Sequence, residues 1–273
     1  MYTYFMSDNF SHLHNKQTPP VYKFYSQGKW QESQTKKFLA IRSPIDDAIL
    51  GVIPSVTFPE AELAVEAAKN NQKSWEETSI SQRVDLLHKA ARLIKENVDT
   101  LRDLIILEIG KPFSEAEDEV LRTVDLIDYY AEEGRRVIGE VLESSAFPGY
   151  LQNKVAIARR VALGVVLAIP PFNYPINEGA PKIVSALVTG NTVVVKPSTQ
   201  GAISTLHMIE LFNQAGFPAG VLNCVMGEGA DVGEFLVSHH QINCVNLTGS
   251  YETAERVSQK AGRNNKSCDR AIL

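Results

Sequence analysis

Four short apolar runs, 164–169, 192–196, 221–225 and 243–247, recur along the second half of the chain, each rich in valine, leucine or isoleucine. Stretches of helical character separate them, with glycine stops at Gly190 and Gly216. Runs without polar alternation predict strands buried on both faces, which is the signature of a parallel sheet with helices on either side. The crossovers between such strands are right-handed. The expected fold class is therefore α/β, a doubly wound, mostly parallel sheet of the nucleotide-binding type.

The first half reads differently. Residues 1–20 look like a loose polar leader. From Lys36 to Val56, apolar runs broken by Ser43-Pro44 and Ile53-Pro54 predict two short strands. A helix is expected to begin near Pro59, since proline suits the first helical turn. Val84, Leu87, Ala91 and Ile94 form a helical stripe. A further helix stops at Gly110-Lys111-Pro112. Ser114 and Glu117 then read as a capping box for a long helix reaching Gly134. On that helix Val120, Val124, Ile127 and Ala131 face one way, while Arg122, Leu126 and Tyr129 share a second stripe, which would aim Arg122 at something other than water. Between 137 and 160, Pro148-Gly149 marks a turn and Lys154 to Arg160 alternates with period two. That pattern predicts an extended arm, covered on one side, packing on a neighbour.

Composition narrows the function classes. A net charge of −5, with 44% apolar and 22% charged residues, describes an ordinary soluble chain with no general pull toward nucleic acid or membrane. No apolar run nears the roughly 20 residues that span a bilayer. The first 20 residues lack the basic start and apolar stretch of a signal peptide, so a cytoplasmic protein is expected. Three cysteines make no disulfide framework. The pairs His12/His14 and His239/His240 have no cysteine or carboxylate at ligand spacing, so no metal site is expected.

The candidate chemistry gathers between Leu163 and Thr199. A strand, a Pro-Phe-Asn-Tyr-Pro turn, a helix and a second strand ending on Lys196 place an amide and an ammonium at the carboxyl ends of adjacent strands, where open α/β sheets bind ligands. Lys196 can reach a ribose or phosphate there; alone, it reads as a solvated strand-end charge. Thr199 carries no charge where a carboxylate would repel a 2′-phosphate, which favours NADP over NAD. Asn173, fixed between prolines and with Phe172 and Tyr174 expected to bury the turn, is either a rigid donor for an oxyanion or an asparagine tolerating an unusual turn. Thr248-Gly249-Ser250 reads equally as an anion-attracting helix start and as a plain serine cap. The glycines of Gly227-Glu-Gly229-Ala-Asp-Val-Gly233 are spaced too widely for a dinucleotide fingerprint and read better as a loop and helix start. Cys224 and Cys244 lie in strands and are expected to be inert core thiols.

The runs PPFNYPIN, TGNTVVVKPSTQG, AGFPAGVLN and LTGS, in this order and spacing, resemble the N-terminal part of an aldehyde dehydrogenase, most closely the non-phosphorylating glyceraldehyde-3-phosphate dehydrogenase branch. The similarity covers about residues 36 to 262. The resemblance implies that Asn173 completes an oxyanion hole and that Lys196 and Thr199 meet the adenosine ribose or its phosphate. It places Gly249 and Ser250 near the pyrophosphate, Pro170 along the cofactor and Glu234 at its rim. Arg122, in Val120-Leu-Arg-Thr123, and Tyr174 match residues that bind a substrate phosphate in that branch, where a guanidinium suits the geometry. The implied division is a leader at 1–20, the first part of the cofactor domain at 21–136, an oligomerisation arm at 137–160, the cofactor-binding core at 161–262 and an aberrant tail at 263–273.

The departures are as informative. The family follows Ala261-Gly262 with E-L-G-G-K, whose Glu is the general base, and the nucleophilic Cys comes some thirty-odd residues later. Here RNNKSCDRAIL follows and the catalytic domain is expected to be missing. Asp269 falls near the place of the Glu without its Leu-Gly-Gly context, and Cys268 comes too early for the nucleophile. Tyr251-Glu-Thr-Ala254 replaces the family's glycine-bearing pattern. Three readings compete: an NADP-linked oxidoreductase lineage acting on an aldehyde such as glyceraldehyde 3-phosphate, homo-oligomeric when intact but inactive as this chain; an NADP-binding or subunit-associating remnant; and a non-functional fragment.

Overall fold

The four valine-rich runs lie side by side in the computed structural model, which describes residues 8–137, 139–143, 148–149 and 154–272. They form β7 (Val165–Ile169), β8 (Thr192–Val195), β9 (Leu222–Cys224) and β10 (Ile242–Gly249), all parallel. The sheet has seven strands in the order β11-β10-β7-β8-β9-β1-β2, with β1 (Phe24–Ser26) and β2 (Lys29–Gln31) antiparallel at one end and β11 (Ser267–Ile272) at the other. From β7 the chain passes to β8 and β9 on one side and then to β10 and β11 on the other. The crevice beyond the carboxyl ends of β7 and its two neighbours is thus a topological switch point, the usual ligand position in open α/β sheets.

Helices cover the sheet and share its core. α1 (Phe58–Glu77) begins where the Thr57 amide donates to Glu60 Oε2 at 2.7 Å, and α2 (Ile80–Glu96) where the Ser79 hydroxyl accepts from Gln82. Val84, Leu87, Ala91 and Ile94 are buried, as their helical spacing requires. α3 (Val98–Ile109) ends at Gly110, whose φ of 78° is open to glycine at little cost. α4 (Phe113–Gly134) buries Val120, Val124, Ile127 and Ala131. β3 (Phe38–Arg42) and β4 (Ile49–Pro54) form the expected antiparallel pair. α5 (Gly179–Val188), α6 (Ala202–Ala215), α7 (Glu234–Ser238) and α8 (Tyr251–Arg263) alternate with the strands. One apolar cluster runs from Phe10 to Ala261, so both halves of the chain share a single core. Among the described residues no helix is long and apolar enough to cross a membrane.

The start of α6 is capped from a distance. Glu108, fully buried at the end of α3, accepts from the amides of Ile203 (2.7 Å) and Ser204 (2.9 Å) and from the Ser204 hydroxyl (2.7 Å). These donors satisfy first-turn amides that a helix leaves without internal partners. Burial outweighs them and pushes the carboxyl up to about 7.

Several expectations need correction. From Asp8 onward the leader is not loose: Asp8–Leu13 forms a 3-10 turn that buries Phe10 and Leu13. Their spacing of three puts both on one side of such a turn, and the Phe10 ring lies tilted against that of His207 of α6, with centroids 4.8 Å apart. The expected capping box at Ser114 and Glu117 is absent. Pro112 already holds the N-cap geometry (φ −57°, ψ 150°), and Glu117 pairs instead with Arg102 at 3.5 Å. The arm is the expected extended segment, a ribbon of β5 (Glu140–Glu143) and β6 (Val155–Ala158), antiparallel and with both faces exposed in the single chain. The expected turn falls at Pro148-Gly149; residues 144–147 and 150–153 lie outside the described residues, as do 1–7. The tail is not aberrant in structure. Residues 267–272 extend the sheet as β11, parallel to β10. Buried Lys266 anchors that strand by donating to the carbonyls of His239 and Ile242, and a sheet edge tolerates the polar residues that hid it.

Candidate functional site

Three strand ends build the crevice. β7 leads into Pro170, β8 into Lys196 and β10 into Gly249 and Ser250, so these four residues meet at one edge of the sheet. Ile169, Lys196, Gly233, Glu234, Leu247 and Thr253 line a narrow cleft there. Lys196 is 5% exposed, yet among the described residues its ammonium donates only to the carbonyl of neighbouring Pro197, at 3.1 Å. Burial with no carboxylate beside it pushes this group down to about 8. A buried ammonium with spare donors is costly unless something else completes its hydrogen bonds.

The surrounding residues fall as follows. Thr199 sits half-buried in the bend after Pro197. Ser250 caps α8, its hydroxyl accepting from the Thr253 amide at 3.4 Å, so the plain cap is present at the same point as the helix terminus that favours anions. Glu234 is not a free rim residue, because its carboxylate holds Arg256 (3.2 Å) and Lys260 of α8 across the cleft. The Gly229–Gly233 turn is the expected loop and helix start, and it also lines the cleft, a role its spacing did not signal.

The Pro-Phe-Asn-Tyr-Pro turn is fixed, but not by its aromatics. Phe172 and Tyr174 are 53% and 40% exposed, because adjacent side chains in this turn project outward. The flanking Pro171 and Pro175 are buried, and the turn is gripped from α4: Glu119 Oε1 accepts the amides of Ile176 and Asn177, both at 3.3 Å. The inner end of the Asn173 side-chain amide is buried without a partner. The ammonium of Lys111 lies 3.3 Å from the centre of the Tyr174 ring. Arg122 does not point into the molecule: its side chain is 70% exposed and pairs with Asp118, one turn back, at 2.8 Å.

Sequence reasoning missed Lys111 and Glu119, because Gly110-Lys111-Pro112 was legible only as a helix stop. It also missed Lys182 of α5, which donates to Glu178 (3.3 Å) while the Thr248 hydroxyl donates to the same carboxylate (3.2 Å). The spacing of Glu178 and Lys182 by four was the available signal.

The two core thiols are not poised for attack. Cys224 is fully buried and burial raises its pKa, while Cys244 is pushed up to about 11. Cys268, half-buried in β11, lies 3.6 Å from the Ser258 hydroxyl. Asp269 is exposed on the same strand, opposite Asn246. Larger hollows of about 480 and 380 Å³ lie elsewhere, under the N-terminal segment and at the base of the ribbon. Neither sits at the carboxyl edge of the sheet, so the narrower cleft is the better candidate site.

The residues present fit a phosphorylated dinucleotide. Lys196 brings an unsatisfied buried cation, Gly249 precedes a helix terminus without a side chain in the way, and Thr199 adds no negative charge.

Comparison with known proteins identifies the family. A family model described as "Aldehyde dehydrogenase family" matches residues 30–270. The NADP-dependent glyceraldehyde-3-phosphate dehydrogenase of Triticum aestivum is 45% identical over 244 residues, covering 89% of this chain and 49% of the relative. The D-glyceraldehyde dehydrogenase (NADP(+)) of Thermoplasma acidophilum is 35% identical, with 89% and 48% covered. The crystal structure of NADP-dependent glyceraldehyde-3-phosphate dehydrogenase from Bacillus halodurans C-125 complexed with NADP superposes with a TM-score of 0.88. It is 41% identical and covers 92% of this chain and 52% of that one. The chain spans about half the length of the curated relatives it matches.

Proposed function

The chain belongs to the aldehyde dehydrogenase family, and from that premise we propose that it supplies the NADP-binding half of an enzyme that oxidises an aldehyde, glyceraldehyde 3-phosphate, to its acid. The observation that carries this reading is the buried Lys196 ammonium at the switch point, with a single acceptor among the described residues. Lys196 and Thr199 would hold the adenosine ribose and its 2′-phosphate, Gly249 and Ser250 the pyrophosphate, with Pro170 along the cofactor and Glu234 at the rim. Bound NADP supplies the hydride acceptor. On the substrate side, Asn173 would donate to the aldehyde oxygen as charge develops there, while Tyr174 and Arg122 would take the substrate phosphate. For Arg122 this requires exchanging its exposed partner Asp118 for the ligand, an inexpensive change because surface pairs are worth about 0–1 kcal/mol.

Isothermal titration tests the cofactor reading. NADP is expected to bind more tightly than NAD, and equal affinity for both would count against the assignment of Thr199 and Lys196.

A second reading, association with intact subunits through the arm, is favoured by the ribbon. Val141, Val155 and Ile157 are 66%, 62% and 70% exposed on two strands that cover each other on neither face. An isolated two-stranded ribbon is marginal in water, so a covering partner accounts for it. The two readings share one further expectation. A polypeptide of these 273 residues by itself does not reduce NADP with glyceraldehyde 3-phosphate, because a thiolate nucleophile is required, the buried thiols of Cys224 and Cys244 have raised pKa values, and Cys268 lies on the edge strand β11 rather than beside the Asn173 turn. NADPH appearing above a protein-free control in a spectrophotometric assay would overturn it.

A further inference from the structure

We propose that Lys111 and Glu119 are positioning residues that hold Asn173 and Tyr174 in a ligand-ready arrangement, so that the turn recognises an anionic aldehyde without first having to order itself. The proposal rests on the reading that this turn faces the substrate. It goes further by assigning the turn's geometry to a pair outside it.

Three contacts converge. Gly110, in the left-handed region at φ 78°, turns the chain so that Lys111 lies against α4. Lys111 Nζ then meets Glu119 Oε2 at 2.5 Å and the face of the Tyr174 ring at 3.3 Å. The other carboxylate oxygen accepts the amides of Ile176 and Asn177, and the Asn177 side chain donates to the Thr123 hydroxyl at 3.4 Å. One carboxylate therefore clamps the backbone behind the turn and, through the lysine, the aromatic ring in front of it.

The arrangement has more than a packing role because Tyr174 is exposed. A surface tyrosine ordinarily samples several rotamers, and an ammonium over the ring face favours one of them by cation–π attraction. Immobilising one such side chain on binding costs about 0.5–1.5 kcal/mol, or about threefold to tenfold in affinity. The Glu119 side chain is fully buried, so its ionised form depends on Lys111; burial raises its pKa and the lysine opposes that shift.

The test uses the whole chain with 3-phosphoglycerate, the acid expected as product, as probe. Lys111→Met is expected to weaken 3-phosphoglycerate binding about threefold to tenfold with NADP affinity unchanged, and to shift the Tyr174 ring signals, identified in the NMR spectrum through Tyr174→Phe. Lys111→Arg keeps a cation in place and is expected to restore both. Equal losses toward NADP and 3-phosphoglycerate, or unmoved Tyr174 signals in Lys111→Met, would overturn the proposal in favour of a purely structural ion pair. If the parent chain does not bind 3-phosphoglycerate, the substrate reading fails. The ring signals, compared among the parent, Lys111→Met and Glu119→Gln, still decide whether the pair positions Tyr174.

Discussion

Lys196→Met is expected to weaken NADP binding by about tenfold to a hundredfold and, at the same time, to make the ligand-free protein more stable. Both effects come from the same burial. Hydrogen bonds to charged groups contribute about 1.5–3 kcal/mol, and among the described residues the Lys196 ammonium has the Pro197 carbonyl as its one acceptor, leaving donors for a ligand. Without ligand, however, the buried charge is a cost. The folded-state pKa of about 8 lies below the ordinary 10.5, so the folded form binds its proton less tightly than the unfolded form does. Below pH 8 both forms are protonated and the penalty is present in full, about 3 kcal/mol by linkage. Between pH 8 and 10.5 the unfolded state holds more protons, so stability rises with pH through that window. NADP affinity should move the opposite way, falling above pH 8 as the ammonium is lost, in the parent but not in the variant. Urea unfolding and titration calorimetry across pH 6.5–9.5 measure both slopes. A Lys196→Met variant that is less stable than the parent and binds NADP as well would remove Lys196 from the site.

Glu108→Ala is the second large effect, expected to destabilise the fold by about 3–5 kcal/mol. Two buried amides on the first turn of α6 lose their acceptor together, and the Ser204 hydroxyl is left with only the more distant Gly201 carbonyl; each orphaned donor costs about 1–3 kcal/mol. For a chain of this size that is a fall of roughly 10 °C in melting temperature. Glu108 also gives the parent a pH signature. Its folded-state value of about 7 is raised above the ordinary 4.5, so its contribution is full below pH 4.5 and is lost as pH rises through 7. Glu108→Gln, which cannot ionise, is expected to flatten that slope while remaining less stable than the parent at low pH. A variant that keeps the slope would assign it to another group.

The sheet was legible because burial on both faces leaves an unmistakable apolar run; β7 to β10 all appear within one or two residues of their expected bounds. Chemistry at strand ends was legible for the same reason, since a lysine closing an apolar strand has few places to go. Elements built on polar sequence were not. β11 is an edge strand whose outer positions face water, so its residues carry no periodic signal, and a buried lysine anchors it rather than an apolar face. Phe10 and Leu13 are two apolar residues in a polar stretch, too few for a pattern, yet both reach the core. Side-chain direction was the least accessible. Phe172 and Tyr174 were expected inward and project outward, and Arg122 follows its helix surface to Asp118, because these choices depend on what lies across from them in space.

α4 joins two of these features in a single strut. Its 22 residues make a rod about 33 Å long, without proline and with glycine only at its last position. Glu119 and Thr123, in its first half, grip the Asn173 turn, while the far end runs out toward the bare ribbon. On the proposed reading, a subunit seated on the ribbon would bear on the same beam that carries the turn, so that reactive geometry and quaternary contact would share one piece of framing.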